Sequence, residues 1–342
     1  MDLRELGEFG LIDRIRQAAG PASDRVRTGI GDDTAVIEIP GPLVLLVGTD
    51  AMVEGRHFRL DWMSPHDVGT RAAAACMSDI AAMGGRIIAI FASICFRDDW
   101  TAEQAEELVS GIHAAAAQFD ISLAGGDTSA TDRGLFIDII ALGEVQRDSV
   151  WRRDGARAGD RVFVTGTLGD PAAALALLAH SGPDAANDFP ALFEALLSPT
   201  PRLREVPALA ATGAVTSCLD ISDGPVQDAG HIADASDVGI ELHASRLPMS
   251  AELQACAREL DTDALTWAAS GGEDFELLLT ADPDAAGNIL ATTETTGTRI
   301  TEIGQVTEDG GVRVLDDSGN QIDIPTGGWD HFRRGPKSQQ SQ

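Results

Sequence analysis

Apolar residues recur at Leu3, Leu6, Phe9, Ile12 and Ile15, a helical spacing that predicts an opening helix over 3–19, ended by Gly20-Pro21. Two apolar runs, 35–39 and 43–48, are split by Pro40-Gly41-Pro42 and predict two strands joined by a turn. Ser64-Pro65 opens a helical stretch to Met83, in which the small residues 72–75 permit close packing, and Gly84-Gly85 closes it. Beyond it, 86–96 predicts a strand, 101–119 an amphipathic helix, and 121–124 and 135–145 two further strands. The first half therefore alternates strand and helix.

A polar stretch rich in Arg and Gly, 146–160, precedes the renewed strand pattern at 161–165, so a domain boundary is expected near 148. In the second half, helices are predicted near 170–181, 189–197 and 201–212, after Asp223-Gly224, and around 284–294. Strands are predicted near 238–242, 275–280, 299–306 and 312–315. The fold class is α/β, of the two-layer α+β type, with domains at 1–148 and 149–334 and a loose tail at 335–342.

Composition removes several classes of function. The 54 acids against 25 bases give a net charge of −29, a field that opposes binding to nucleic acid or an anionic membrane. Apolar runs such as 43–47 and 87–92 are far shorter than the ~20 residues of a bilayer span. No basic-then-apolar signal opens the chain, so a cytoplasmic location is expected. The single lysine, Lys337, lies in the polar tail, which excludes a Walker-type phosphate loop and a pyridoxal Schiff base in the folded region. Cys76, Cys95, Cys218 and Cys256 stand far apart without a CxxC pair and are expected as buried free thiols.

What remains is the placement of the acids. They recur beside Gly, Ser or Thr at expected strand ends or turns: Gly31-Asp32-Asp33, Gly48-Thr49-Asp50, Ser78-Asp79, Gly125-Gly126-Asp127-Thr128, Asp220-Ile221-Ser222-Asp223-Gly224 and Gly271-Gly272-Glu273-Asp274. Any one of them suits a turn on its own. Together, carboxylates with hydroxyls and bare backbone are the donor set of a hard cation such as Mg²⁺, which would let an acidic site accept a polyphosphate.

These motifs resemble those of the thiamine-monophosphate kinase family. Gly29-Ile30-Gly31-Asp32-Asp33, Thr49-Asp50 with His57-Phe58, Ser78-Asp79-Ile80-Ala81-Ala82-Met83-Gly84 and Gly125-Gly126-Asp127-Thr128 resemble its N-terminal motifs. Val164-Thr165-Gly166-Thr167-Leu168-Gly169-Asp170, Asp220-Ile221-Ser222-Asp223-Gly224, Ser270-Gly271-Gly272-Glu273-Asp274-Phe275-Glu276 and Trp329-Asp330-His331-Phe332 resemble its C-terminal ones, in order over about residues 7–332. The resemblance implies two α/β domains, the N-terminal sheets of two subunits joining into a barrel-like homodimer and the C-terminal domain, an α/β sandwich, completing a substrate cleft. It implies ATP-dependent, in-line phosphorylation of thiamine monophosphate to thiamine diphosphate, the last step in making that cofactor, with several bridging Mg²⁺ ions.

Carried over by motif, Asp33, Thr49, Asp50, Asp79, Asp127, Asp220 and Asp223 would be metal ligands, with Asp50, Asp127 and Asp223 catalytic. Gly126, Asp127, Arg153 and Ser222 would contact ATP, and His57, Glu273 and Trp329 the thiamine substrate. A guanidinium suits phosphate, and an aromatic face suits a cationic thiazolium. Asp274 stands beside Glu273, and spacing does not separate their roles. Position 48 is Gly where relatives often carry Ser, and the absence of Tyr leaves the adenine pocket undefined. The alternatives are another ATP-dependent enzyme of the same superfamily, such as one like aminoimidazole-ribonucleotide synthetase, or a catalytically silent Mg²⁺-nucleotide-binding protein. Selenophosphate synthetase would want an N-terminal Cys, and the hydrogenase-maturation protein HypE a C-terminal one, which 257–342 lacks.

Overall fold

The computed structural model describes residues 3–19 and 23–324 of the chain. Trp329, with the Asp330-His331-Phe332 run and the tail at 335–342, lies outside the described residues.

The first half forms a six-stranded sheet in the order β1-β2-β3-β6-β4-β5, built from β1 (Val26–Thr28), β2 (Ala35–Glu38), β3 (Leu43–Val53), β4 (Arg86–Arg97), β5 (Ser122–Thr131) and β6 (Phe136–Gln146). Only β4 and β5 run parallel. Alternation along β3 buries Val44, Leu46 and Met52 on one face, against α2 (Pro65–Ala82). Ser64 caps α2 through a reciprocal capping box with Asp67. Across it lies α3 (Ala102–Ala117), and the crossing point is glycine on both sides. A Cβ on Gly69 would lie 2.1 Å from the Leu108 carbonyl oxygen, and one on Gly111 2.0 Å from that of His66. The close approach expected from the alanines of α2 is thus made by this glycine pair.

The opening helix, α1 (Leu3–Ala19), is broken at Gly7 (φ 71°, ψ 173°), which apolar spacing alone did not anticipate. A larger correction concerns the acidic turns, three of which lie in regular elements. Asp50 is inside β3, which pairs with β6 over its whole length from Leu43↔Gln146 to Val53↔Phe136. Asp79 is in the last turn of α2, inside the helix expected to run to Met83, and Asp127 is inside β5. Strand pairing overrides the turn preference of Gly and Asp there.

The second half forms another six-stranded sheet, ordered β12-β9-β11-β7-β10-β8. Its strands are β7 (Arg161–Thr165), β8 (Val215–Asp220), β9 (Gly239–His243), β10 (Leu277–Ala281), β11 (Ile300–Thr307) and β12 (Gly311–Leu315). The helices are α4 (Asp170–Ser181), α5 (Pro190–Leu197), α6 (Val206–Thr212), α7 (Pro225–Ser236), α8 (Ala251–Glu259), α9 (Ala264–Ser270) and α10 (Ala286–Thr296). This sheet is covered on both faces. Val162, Val164 and Leu278 enter the main core, whereas Phe163, Leu277 and Leu279 join a second core with Leu209 and Ile289. The stretch between the sheets is anchored by Trp151, buried in that second core beside Ala81 and Ala82 of α2. Cys76, Cys218 and Cys256 are buried free thiols, and Cys95 is half-buried.

Candidate active site

Between the two sheets opens a cleft of about 490 Å³ whose walls include Thr49, Asp50, His57, Asp79, Ser222, Asp223 and Glu273. Each acid arrives by a different route. Asp50 sits on the inward face of β3, and Asp220 ends β8. Asp79 occupies the last turn of α2, where the helix dipole disfavours an anion and no basic residue offsets it. Asp33 follows the tight turn Gly31-Asp32 and accepts a bond from Arg153 Nη2 at 2.5 Å, while Arg153 Nε lies 3.7 Å from Asp32 Oδ1.

Asp33, Asp79 and Asp220 each present an oxygen within 4.8 Å of the others. Burial, reinforced by the like charges of Asp220, Asp33 and Asp50, pushes the Asp79 carboxyl well above the usual range. Burial and Asp33 raise Asp220 to about 7, burial and Glu273 raise Asp50 to about 6, and burial and Asp33 raise Asp32 to about 7. Asp33 Oδ2 is buried with no hydrogen-bond partner. An oxygen-only cluster that repels itself and leaves a buried carboxylate oxygen unpaired fits a hard divalent cation. Gly48 lies against this cluster, where an added Cβ would sit 3.4 Å from Asp79 Oδ2. A serine there would therefore set its hydroxyl beside the acids.

The loop between β8 and α7 is shaped by Asp228, whose Oδ2 accepts the backbone N–H groups of Ser222, Asp223 and Gly224 at 3.0–3.1 Å. Ser222 therefore keeps only its exposed hydroxyl side for a ligand. Asp223 lies within 4.8 Å of Asp228 and His231, a second grouping of donors.

Also in the cleft wall, His57 Nδ1 accepts the Val53 N–H at 2.9 Å, so the neutral ring carries its proton on Nε2. Glu273 lines the cleft and Asp274 does not. The Asp274 carboxylate turns away to accept the N–H of Gly169 at 2.9 and 3.1 Å, at the start of α4. Trp62 forms part of the wall with Arg59 stacked on it, 4.5 Å from its ring centroid.

Two residue groups stand elsewhere. Gly126 and Asp127 are exposed on the edge strand β5, across β6 and β4 from Asp50 in the register Asp50↔Ile139↔Ala92↔Gly126. At the ~4.8 Å spacing of strands that separates them by roughly 14 Å. Thr49 borders the cleft, but its hydroxyl points to the outer face of the first sheet, where Oγ1 donates to Asp138 Oδ1 at 2.5 Å.

Sequence reading passed over Arg71, Asp228, Trp62 and Asp138. Arg71 had a signal, as the only charged residue between Val68 and Ser78 and eight residues, two helical turns, before Asp79. Asp228 had none, because an acid in the first turn of a helix is ordinary.

Residues 31–145 match the family of AIR synthase related proteins, N-terminal domain, and residues 157–317 match its C-terminal domain. The thiamine-monophosphate kinase of Aquifex aeolicus is 35% identical over 332 residues, 97% of this chain and 100% of the relative. That of Escherichia coli K12 is 35% identical, covering 95% of this chain and 98% of its own. Among solved structures, AaThiL complexed with AMPPCP and TMP matches with a TM-score of 0.85 at 35% identity, covering 97% of this chain and 99% of that one. Escherichia coli HypE, at 23% identity and a TM-score of 0.69 over 82% of this chain and 86% of that one, shares the fold.

Proposed function

Because the chain belongs to the AIR synthase related family and, within it, to the thiamine-monophosphate kinases, we propose that its cleft transfers the γ-phosphoryl group of ATP directly, in line, to thiamine monophosphate. The observation that carries this reading is the cleft itself, which brings Asp50, Asp79 and Asp220 of the acid cluster into one cavity with His57, Glu273 and Trp62. That combination suits a substrate that carries both a phosphate and a cationic ring.

Asp33, Asp79, Asp220 and Asp50 would hold Mg²⁺ at the transfer end, Asp223 with Asp228 and His231 beside it a further ion, and Asp127 with Thr49 would serve ions nearer the outer face. Bound there, Mg²⁺ supplies charge neutralisation for the phosphates and for the negative charge that develops during transfer. Asp50, Asp127 and Asp223 are the acids we assign to catalysis. Arg153 holds Asp33 in place and presents the rest of its guanidinium toward ATP, with the Ser222 hydroxyl and Gly126-Asp127 as further ATP contacts. His57 and Glu273 bind the thiamine substrate, and Trp329 is proposed to complete that wall.

We assign ATP and Mg²⁺ binding and dimerisation chiefly to 1–148, and to 149–334 the completion of the cleft, where it adds Arg153, Asp220, Ser222 and Asp223. A homodimer is proposed through the outer face of the first sheet, where Val53 and Phe136 are exposed and Leu45, Val47 and Leu142 half-buried. No described helix is long and apolar enough to cross a membrane. The four free cysteines accord with a cytoplasmic location.

Two results test the reading. ADP release should require thiamine monophosphate, and neither thiamine nor formylglycinamidine ribonucleotide should replace it; turnover with the ribonucleotide alone would reassign the substrate. The second is thermal. Asp50, Asp32 and Asp220 titrate near 6 to 7 in the metal-free fold, above the ordinary value of about 4 in the unfolded chain. Their contribution to stability is therefore complete below about pH 4 and lost as pH rises through 6 to 7. Scans with a chelator and with saturating Mg²⁺ from pH 5 to 8 should show a metal-induced gain in Tm that grows with pH, worth about 2.7 kcal/mol at a hundredfold excess over Kd. A gain that shrinks with pH would remove the carboxylates from metal binding.

A further inference from the structure

We infer that Arg71 is the positioning residue that fixes the Glu273 carboxylate for the cationic ring of the substrate, an inference that rests on the thiamine monophosphate reading above. The two meet behind the cleft wall, Arg71 from α2 and Glu273 from the loop before β10, with Nη2 2.7 Å from Oε1. The Arg71 side chain is 1% exposed and that of Glu273 27%. One carboxylate oxygen is therefore held from behind, while the residue remains open to the cleft.

Two local penalties meet at this contact. Arg71 is incompletely satisfied: Nη1 faces only the thioether of Met63 at 2.9 Å, and Nε is buried with no hydrogen-bond partner. A helix needing only packing there would be served better by an apolar side chain. Glu273 has a left-handed backbone, φ 68°, costly for any residue but glycine. That conformation is held by its N–H to the Ser222 carbonyl at 2.8 Å. Strain and a buried charge concentrated on one exposed carboxylate mark a group whose direction matters more than its stability.

The helix supplies the reason. Arg71, Ala75 and Asp79 lie at i, i+4 and i+8, one face of α2, and Ala75 and Asp79 line the cleft. Eight residues span about 12 Å of helix axis. The same rigid element thus carries Asp79 of the acid cluster and, through Arg71, orients the Glu273 carboxylate. The placement of Glu273 relative to Asp79 is set by a helix and not only by the loop that bears Glu273.

The test is steady-state kinetics with each substrate varied separately, alongside thermal scans. Arg71→Met should raise KM for thiamine monophosphate about 10- to 100-fold. KM for ATP should change by less than about twofold, and Arg71→Lys should recover part of the loss, since an ammonium keeps the charge without the planar fork. In a Glu273→Gln background Arg71→Met should add less than about threefold, because the two act as one unit. A folded Arg71→Met with unchanged KM for thiamine monophosphate, equal rises in both KM values, or fully additive effects would each overturn the inference. If Arg71→Met does not fold, Arg71→Lys and Glu273→Gln carry the same comparison. Turnover by the unmodified chain with thiamine monophosphate separates the two levels: without it the functional reading falls, and with it only the role of Arg71 is at stake.

Discussion

Asp220→Asn is expected to lower turnover by about a thousandfold while making the metal-free protein more stable at pH 8. Asp220 ends β8 with its carboxylate beside those of Asp33 and Asp79, and burial with Asp33 lifts it to about 7. At pH 8 the folded chain must ionise this group among like charges, at a cost on the order of 2–4 kcal/mol without a cation. The amide keeps the shape and removes the charge. Metal-free Tm should therefore rise by roughly 5 °C at pH 8 and hardly change at pH 5, where the acid is already protonated. Added Mg²⁺ should stabilise the variant much less than the parent. A variant with retained turnover, or one destabilised equally at both pH values, would mean that Asp220 is a structural acid.

Glu276→Gln should do the reverse, sparing chemistry and costing stability. Glu276 is 4% exposed, accepts Arg202 Nε at 2.5 Å and Thr165 Oγ1 at 2.5 Å, and forms a second bond with Arg202 Nη2. Gly166 is glycine for this reason: at φ +59° its Cβ would sit 1.9 Å from Glu276 Oε1. Removing that charge leaves the mostly buried Arg202 with only the more distant Glu205, 3.9 Å away, as counterion, a loss near the lower end of the about 3–5 kcal/mol of a broken buried pair. The urea midpoint should fall with an unchanged slope, and kcat of the folded fraction should be retained, since Glu276 does not line the cleft. A large fall in kcat at unchanged stability would move Glu276 into the chemistry.

The contrast within Ser270-Gly271-Gly272-Glu273-Asp274-Phe275-Glu276 shows how far the sequence could be read. The run announces itself as a motif, yet its three acids do three things: Glu273 faces the cleft, Asp274 caps α4, and Glu276 holds β7 and the Arg202 segment. Only the three-dimensional path of the loop, with Glu273 and Phe275 both at positive φ, separates them. Apolar runs and clear end signals served well in the continuously buried β7 and α2, whose expected limits lie within two residues of those observed. It failed for β8, whose polar start Val215-Thr216-Ser217 hides a strand, and for α8 and α9, short helices with little apolar repetition. The convergence of Asp33, Asp79 and Asp220 is a long-range property of strand order. Gly-flanked acids suggested that they belong together, and the two sheets decide which of them meet.

The most direct test of the central claim follows the phosphate itself. With γ-³²P-labelled ATP, Mg²⁺ and thiamine monophosphate, the label should appear in the terminal phosphate of thiamine diphosphate in proportion to ADP formed. Label recovered as inorganic phosphate, with thiamine monophosphate unchanged, would contradict direct transfer and leave the cleft as an ATP-hydrolysing site of another kind.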